Sequence, residues 1–234
     1  MTSLEPIWNR ARSDLMIVTE HGEVDIFLWE HSVRVAQSAQ RIAELLAPLG
    51  HTADVAAVVA AGLYHDAGWA VRAASGEGKR TEVLTRPPPE SHREQGAALL
   101  ARSLQGILPP DSMERAVLSV RTLNDRDIAL LEGQIVTEAE NLDEFGVISL
   151  WPTVRRGAVD GKGVKAAIDT WRRRKEYQFW TARLNDSFRF PVVREVARAR
   201  LARLERVMEE LQTQQNGEDI VSGSAFPQPV MVSG

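Results

Sequence analysis

Apolar residues recur every three or four positions through most of the chain, which is the spacing of helices. The stretch "DIFLWEHSVRVAQSAQRIAELLAPLG", which ends at Gly50, predicts a long amphipathic helix that Pro48 helps to terminate. The next stretch, "ADVAAVVAAGLYHDAGW", is almost wholly apolar and predicts a buried helix that ends at Gly68. Because only a short "GHT" connection separates the two helices, we expect them to be antiparallel neighbours.

Five later segments have the same helical spacing, whereas alternating strand-like segments are scarce. They are "ESHREQGAALLARSL", "DSMERAVLSVRTL", "EGQIVTEAENLDEF", "GVKAAIDTWRRRKEYQFWTARL" and "PVVREVARARLARLERVMEELQ". The sequence therefore predicts an all-α fold, in which residues 1–215 form a single domain, a helical bundle with additional C-terminal helices.

Two segments interrupt the helical pattern. Residues 72–89, "RAASGEGKRTEVLTRPPP", are rich in Gly, Pro and charge, which makes them a candidate lid or binding loop. Residues 216–234, "NGEDIVSGSAFPQPVMVSG", have the Gly, Ser and Pro content that is typical of a flexible or irregular tail.

The composition is that of an ordinary soluble globular protein. Of 234 residues, 44% are apolar and 26% are charged, and the net charge of −4 provides no general attraction to nucleic acid or to an anionic membrane. The absence of cysteine excludes disulfides, thiolate metal sites and cysteine nucleophiles. Neither a signal peptide nor a membrane span is predicted, so we expect a cytoplasmic protein, and homo-oligomerisation stays open.

The run "WRRRKEYQFW" mixes cations with aromatic side chains, a combination that occurs in nucleic-acid sites. On one continuous helix Trp171 would lie on a different face from Tyr177 and Trp180. We therefore expect the aromatic residues to anchor a C-terminal helix and the arginines to face water. Nucleic acid is not an expected partner.

Candidate chemistry begins with "GLYHDAGW", which puts His65 and Asp66 side by side at the end of an apolar helix. A capped helix end, or a buried histidine bonded to its neighbour, is one explanation, and a metal site is the other. Because adjacent helical residues point about 100° apart, two neighbours share an ion only if other segments complete its ligands. His31, near the start of the preceding helix, is placed to meet His65.

The acidic run "TEAENLDEFG" is a source of further carboxylates. Glu140 shares one helical face with Asp143 and Glu144, whereas Glu138 points nearly opposite. Only one of these faces can reach a site, and a solvated acidic helix surface is the alternative.

The order of these residues resembles the HD superfamily of metal-dependent phosphohydrolases: His31, then His65 and Asp66, then a carboxylate in a "[small]-[acid]-x-Leu" helix. The likeness covers roughly residues 29–146. Within it, "LEGQIVTEAENLDEFG" is similar to the acidic "DAD-x-LD-x-x-G" string of one branch of small bacterial HD proteins. The resemblance implies an HD-type domain with His31, His65 and Asp66 as metal ligands. Glu140 would be the fourth ligand, where the family normally has aspartate.

Two imidazoles and two carboxylates suit one divalent transition-metal ion (Mn, Fe, Co, Ni or Zn), and Mg also fits. The resemblance implies that this ion activates water to hydrolyse a phosphate ester, with a nucleotide or another small phosphorylated metabolite as substrate. Asp66 would also orient or deprotonate the water.

His92, in "ESHREQGAALL", matches a position that in some relatives holds a second metal or contacts substrate. The alternative is an exposed histidine in the first turn of a helix. The downstream segment "LSVRTLNDRD" has no histidine for a second metal, so we expect one ion.

The candidate lid carries four cations that could contact phosphate. They are Arg72, Lys79, Arg80 and Arg86. Against Glu77 and Glu82 they leave a net charge of about +2 in an otherwise acidic protein. A loop that serves only solubility is the alternative.

Two other functions stay open. A non-catalytic HD-fold protein that senses a ligand or binds a partner would account for the glutamate at position 140 and for the missing downstream histidine. A di-iron HD-fold oxygenase would need more histidines than this sequence supplies.

Overall fold

The computed structural model describes residues 3–18 and 22–221, and most of these residues are helical. The strands β1 and β2 form a short antiparallel hairpin in which Ile17 pairs with Asp25. The elements, in chain order, are α1 (Glu5–Leu15), β1 (Ile17–Val18), β2 (Val24–Asp25), α2 (Phe27–Leu46), α3 (Val55–Tyr64), α4 (Gly68–Ser75), α5 (His92–Ser103), α6 (Pro110–Arg121), α7 (Leu131–Asp143), α8 (Leu150–Val159), α9 (Val164–Glu176), α10 (Phe179–Asp186), α11 (Pro191–Asn216) and α12 (Glu218–Val221). Short 3-10 helices occupy Ala47–Leu49, Arg80–Glu82 and Val147–Ser149. The all-α prediction is confirmed.

Helix α3 is the centre of the core, and α2 and α7 pack against it. Gly62 permits the close approach of α2, since a Cβ at this position would lie 2.7 Å from Cα of Ala36. The side chain of Asp54 caps the N-terminus of α3 by accepting a hydrogen bond from the backbone N–H of Ala57. The buried carboxylate of Glu132 in α7 accepts the backbone N–H of Asp54, which ties the start of α3 to α7.

A second close approach joins α4 to α5. A Cβ at Gly68 would lie 2.3 Å from the carbonyl oxygen of His92, so only glycine fits here without displacing the backbone. The start of α5 is thereby held next to the His65–Asp66 pair, which lies in the turn between α3 and α4. The sequence placed this pair inside the last turn of a helix ending at Gly68, but α3 ends at Tyr64 and a new helix begins at Gly68.

The segment "GVKAAIDTWRRRKEYQFWTARL" was expected to be one helix, and that expectation is wrong. The chain breaks at Gln178, whose φ of 54° is left-handed, and continues as α10. Because of this break Trp171 and Trp180 contact each other, with tilted rings whose centroids are 5.5 Å apart, although one helix would have separated them. Trp180 also contacts Phe145, just beyond α7, so the predicted aromatic anchor exists, while Tyr177 is 81% exposed.

The two segments that were expected to interrupt the helical pattern, residues 72–89 and 216–234, are partly helical. The candidate lid, residues 72–89, begins within α4 and contains one short 3-10 helix, and the rest of it is irregular. Of the predicted tail, residues 218–221 form α12, whereas residues 222–234 lie outside the described part of the chain. None of the described helices is both long enough and apolar enough to cross a membrane.

Candidate metal centre

Two histidines from neighbouring helices face each other at one end of the α2–α3 pair. His31 lies in the second turn of α2, and His65 directly follows α3. Their Nε2 atoms are 3.0 Å apart. Two nitrogens bound to one ion at about 2.1 Å and at right angles would be separated by roughly this distance.

The other ring nitrogens of both histidines have acceptors. Nδ1 of His31 is 2.9 Å from a carboxylate oxygen of Asp143, and Nδ1 of His65 is 2.8 Å from the carbonyl oxygen of Gly62. Both acceptors favour a proton on Nδ1, which leaves a lone pair on each Nε2. Two lone pairs at 3.0 Å repel unless a proton or a cation lies between them, so this geometry suits a metal ion.

Two carboxylates complete the group of donors. Oδ2 of Asp66 is 3.7 Å from Nε2 of both His31 and His65, and the three donor atoms of the group lie within 4.8 Å of one another. Oε2 of Glu140, on α7, is 3.3 Å from Nε2 of His65. This oxygen is buried and has no hydrogen-bond partner among the described residues, a costly state for a carboxylate that a bound cation would relieve. His31, His65 and Asp66 therefore fit one divalent cation of the kind that mixed nitrogen and oxygen ligands bind, and Glu140 adjoins this group through His65.

Charges within the cluster move its pKa values in opposite directions. Burial alone would lower the pKa of His31, but its hydrogen bond to Asp143 and the charge of Asp66 outweigh burial and raise it. Burial acts to raise the pKa of Asp66, but the charge of His65 and the bond from a further histidine hold it well below the usual range. Burial raises the pKa of Glu140. A metal would compete with protons for these groups.

His92 is the first residue of α5 and is buried, with only 2% of its surface exposed. The alternative of an exposed histidine is therefore wrong, although the position in the first helical turn is as expected. Nε2 of His92 donates to Oδ1 of Asp66 over 3.0 Å. The imidazole also packs against Trp69, with ring centroids 5.2 Å apart. His92 thus holds the carboxylate of Asp66 from the side opposite the other two histidines.

Asp143 has a role that the sequence reasoning missed. Its carboxylate accepts Nδ1–H of His31 and also both Nε–H and Nη2–H of Arg34, at 2.9 and 3.0 Å. The hydrogen bonds and the charges of these partners outweigh burial and hold the pKa of Asp143 well below its usual range. The spacing contained a signal, since Asp143 follows Glu140 by three residues and Arg34 follows His31 by three, which places each pair on one helical face.

The opposite face of α7 is buried too, so the alternative of a solvated acidic surface is wrong. Glu138 is fully buried, and its Oε1 accepts the backbone N–H groups of Arg189 and Phe190. Burial raises the pKa of Glu138 to about 7. Glu138 therefore attaches α7 to the start of α11 and takes no part in the histidine cluster.

Three of the four cations of the candidate lid contact residues outside the histidine cluster. Arg72 donates to the carbonyl oxygen of Glu77. Arg86 forms an ion pair with Asp160, and Arg80 lies 3.9 Å from Asp25. Lys79 is exposed and forms no ion pair within the described part of the chain.

The family model of the HD domain matches residues 28–144, which is half of the chain and contains all four candidate ligands. The chain belongs to the HD domain family. No curated protein matches it significantly.

Several solved structures have a similar fold and match this HD protein over more than nine-tenths of its chain. Bacillus subtilis YpgQ is 19% identical, with a TM-score of 0.58 over 95% of this chain and 99% of that one. The structure of YpgQ in complex with ADP is similar at 18% identity, with a TM-score of 0.55 over 94% and 99%. A predicted HD superfamily hydrolase from an uncultured Thermotogales bacterium is 15% identical, with a TM-score of 0.55 over 91% and 92%. At these identities the likeness shows the fold alone.

Proposed function

We propose that this HD protein is a metal-dependent phosphohydrolase that acts on a phosphate ester, either a nucleotide or another small phosphorylated metabolite. The observation that carries the proposal is a pair of imidazole nitrogens 3.0 Å apart, next to a buried carboxylate oxygen without a hydrogen-bond partner. Membership of the family and the likeness to an HD superfamily hydrolase support it.

His31, His65, Asp66 and Glu140 would hold one divalent ion, Mn, Fe, Co, Ni, Zn or Mg. Such an ion, when bound, lowers the pKa of water and offsets negative charge on a phosphoryl group. The described residues contain one group of candidate ligands of this kind, and it is built from His31, His65 and Asp66. This supports a single ion and gives the di-iron alternative no second set of histidines.

Asp66 would have two tasks, one for each oxygen. Oδ2 faces the imidazole pair, while Oδ1 accepts the hydrogen bond from His92. The bond fixes the plane of the carboxylate, so that Asp66 orients the attacking water and takes up its proton. Nε2 of His92 already carries the proton that bonds to Asp66, so this imidazole orients the carboxylate and is not itself the proton acceptor. We therefore assign the uptake of the proton to Asp66, positioned by His92.

A cavity of about 680 Å³ borders Glu140 and is large enough for a nucleotide. Its lining includes Asn124, Arg126, Phe179 and Arg183, of which Arg183 is paired with Glu144, and it also includes the carboxylates Asp125, Glu140, Glu144 and Asp186. Arginines suit phosphate, and an aromatic ring suits a base. We propose that substrate binds here, next to the metal ligands. The complex of YpgQ with ADP supports a nucleotide as the substrate class.

The basic lid stays a prediction as a substrate-binding element. Arg80 and Arg86 would have to break their contacts with Asp25 and Asp160 to reach a phosphate, which makes substrate binding by these arginines less favourable. Arg72 likewise would leave Glu77. Lys79, exposed and without an ion pair in the described region, is the cation of this group most available to substrate.

The test is a screen of phosphate esters, including nucleoside mono-, di- and triphosphates, with chelator-treated protein reloaded with Mn, Co, Ni or Mg. We expect turnover with at least one metal. Asp66→Asn keeps the shape of the side chain but removes a ligand charge, so turnover should fall at least about a hundredfold. Asp169→Asn, which changes a half-exposed aspartate on α9, is the matched control and should be as active as the parent.

The rival function is a non-catalytic HD protein that senses a ligand or binds a partner. The glutamate at position 140 in place of the usual aspartate favours it. If no ester is hydrolysed with any metal, and the purified protein retains no metal, the rival is correct and the hydrolase proposal is wrong.

A further inference from the structure

A further cavity among the described residues shares no lining residue with the proposed substrate site. It measures about 1070 Å³ and is bounded by α2, by the end of α7 with the following 3-10 helix, and by α11. Asp143 borders it, but His31, His65, Asp66 and Glu140 do not. The cavity therefore lies behind the candidate metal centre and is separated from it by the Asp143–His31 contact.

The charge of this cavity is opposite to that of the protein. Four arginines line it, against a single carboxylate, in a chain with a net charge of −4. The arginines are Arg34, Arg41, Arg200 and Arg203. The carboxylate, Asp143, is already occupied by hydrogen bonds from His31 and Arg34. Because Arg41 also pairs with Glu44, which does not line the cavity, an excess of about two positive charges faces the cavity.

Several guanidinium groups keep hydrogen-bonding capacity. Arg34 uses Nε and Nη2 on Asp143, and Arg200 uses Nη1 on the carbonyl oxygen of Leu142, so other donors of both remain unused by the described residues. Arg203 is exposed and has no ion pair in that part of the chain. Guanidinium groups bind phosphate through paired N–H donors, which makes the cavity suitable for phosphate groups.

The remaining wall is apolar. Leu45, Val147, Ile148 and Val196 line the cavity and are each more than a third exposed, and the aromatic residue Trp8 also borders it. Exposed apolar side chains next to free cations favour a ligand that carries an apolar or aromatic group as well as negative charge.

We infer that this cavity is a second binding site, for a nucleotide-type organic phosphate, distinct from the site of the proposed hydrolysis. The phosphates would contact the arginines, and the apolar part would cover Leu45 and Val196. A second copy of the chain is a poor occupant. A two-fold dimer through this face would place the same four arginines opposite each other, and like charges repel.

The experiment measures ADP binding by calorimetry in excess chelator, so that neither the metal nor turnover contributes. We expect ADP to bind, and adenosine, which lacks the phosphates, to bind at least about tenfold more weakly. Arg203→Gln should weaken ADP binding about tenfold, because one charge-assisted contact is lost. Arg198→Gln is the matched control, an exposed arginine of α11 that pairs with Glu195 and does not line the cavity.

A second variant tests the apolar wall. Leu45→Glu places a carboxylate at a position that is 46% exposed, so the fold should tolerate it while ADP binding is lost. Asp66→Asn should leave ADP binding in chelator within about twofold of the parent. The inference is wrong if metal-free protein does not bind ADP, or if Arg203→Gln and Leu45→Glu bind as Arg198→Gln does. Because no turnover is measured, this result is independent of the hydrolase proposal.

Discussion

Asp143 holds the imidazole of His31 from behind the candidate metal centre, with Oδ2 2.9 Å from Nδ1. Arg34 fixes the same carboxylate through two further hydrogen bonds, so the orientation of a candidate ligand depends on a residue that does not face the cluster. Carboxylates in this position keep the proton on the outer nitrogen and direct the inner lone pair at the metal.

Removing this carboxylate should weaken metal binding without removing a ligand. We expect Asp143→Ala to lower the affinity for Mn or Co about 10- to 100-fold, since His31 loses its acceptor. Calorimetric titration of metal-free protein measures the change. Asp169→Ala, on the surface of α9, is the control. Unchanged affinity in Asp143→Ala would mean that His31 is held by packing alone.

Shortening Glu140 tests whether the site is built around glutamate. Oε2 of Glu140 already lies 3.3 Å from Nε2 of His65, and aspartate would withdraw the carboxylate by roughly 1.5 Å. We expect Glu140→Asp to bind metal at least about tenfold more weakly, whereas Glu144→Asp, one turn later and exposed, should bind normally. Equal or tighter binding by Glu140→Asp would show instead that glutamate is a tolerated substitute for aspartate.

Asp66→Ala separates a ligand from a structural aspartate. The substitution should abolish metal binding and turnover. It should change the free energy of unfolding of the metal-free protein by less than about 1 kcal/mol, because the lost hydrogen bond to His92 is offset by relief of the repulsion between Asp66 and Glu140. Urea unfolding in chelator measures this. Added metal should raise the Tm of the parent but not of the variant. A loss of about 3 kcal/mol, with no metal effect on the parent, would make Asp66 structural.

Gly62 should be essential for the close contact of α2 and α3. A Cβ there would lie 2.7 Å from Cα of Ala36, so Gly62→Ala must push the helices apart and cost about 1 to 3 kcal/mol of unfolding free energy. Metal affinity should fall as well, because His31 lies in α2 and His65 directly follows α3. Gly163→Ala is the control, since a Cβ there meets nothing within 4 Å. Equal stability of the two variants would refute the packing argument.

Asp25 should give the protein a stability that depends on acidity. Burial acts to raise the pKa of Asp25, but hydrogen bonds from Arg155 and from the backbone of Phe27 outweigh it and lower the value. A carboxylate with a lowered folded-state pKa stabilises the fold above its unfolded value of 3.8, and that stability is lost as the pH falls through the folded value.

Asp25→Asn should therefore be about 1 to 3 kcal/mol less stable than the parent at pH 7, with the gap closing below pH of about 4. Urea unfolding at several pH values measures both. If the difference in unfolding free energy between Asp25→Asn and the parent stays constant with pH, Asp25 stabilises the fold by its packing and not by its charge.

The sequence by itself determined the helical class and the order of the candidate ligands. Helical periodicity is a local property, so the spacing of apolar residues was enough to predict the helical class, whereas the resemblance to the HD superfamily implied which residues are ligands. The spacing of three residues between Glu140 and Asp143 also defined a shared face.

Only the tertiary structure decided what each polar residue touches. The sequence does not show that His92 is buried against Trp69, that Asp143 turns to His31 while Glu138 binds the start of α11, or that the chain breaks at Gln178. These contacts join residues tens to more than a hundred positions apart, and they depend on how closely helices approach each other. That distance is set by packing of whole elements, which local periodicity does not encode.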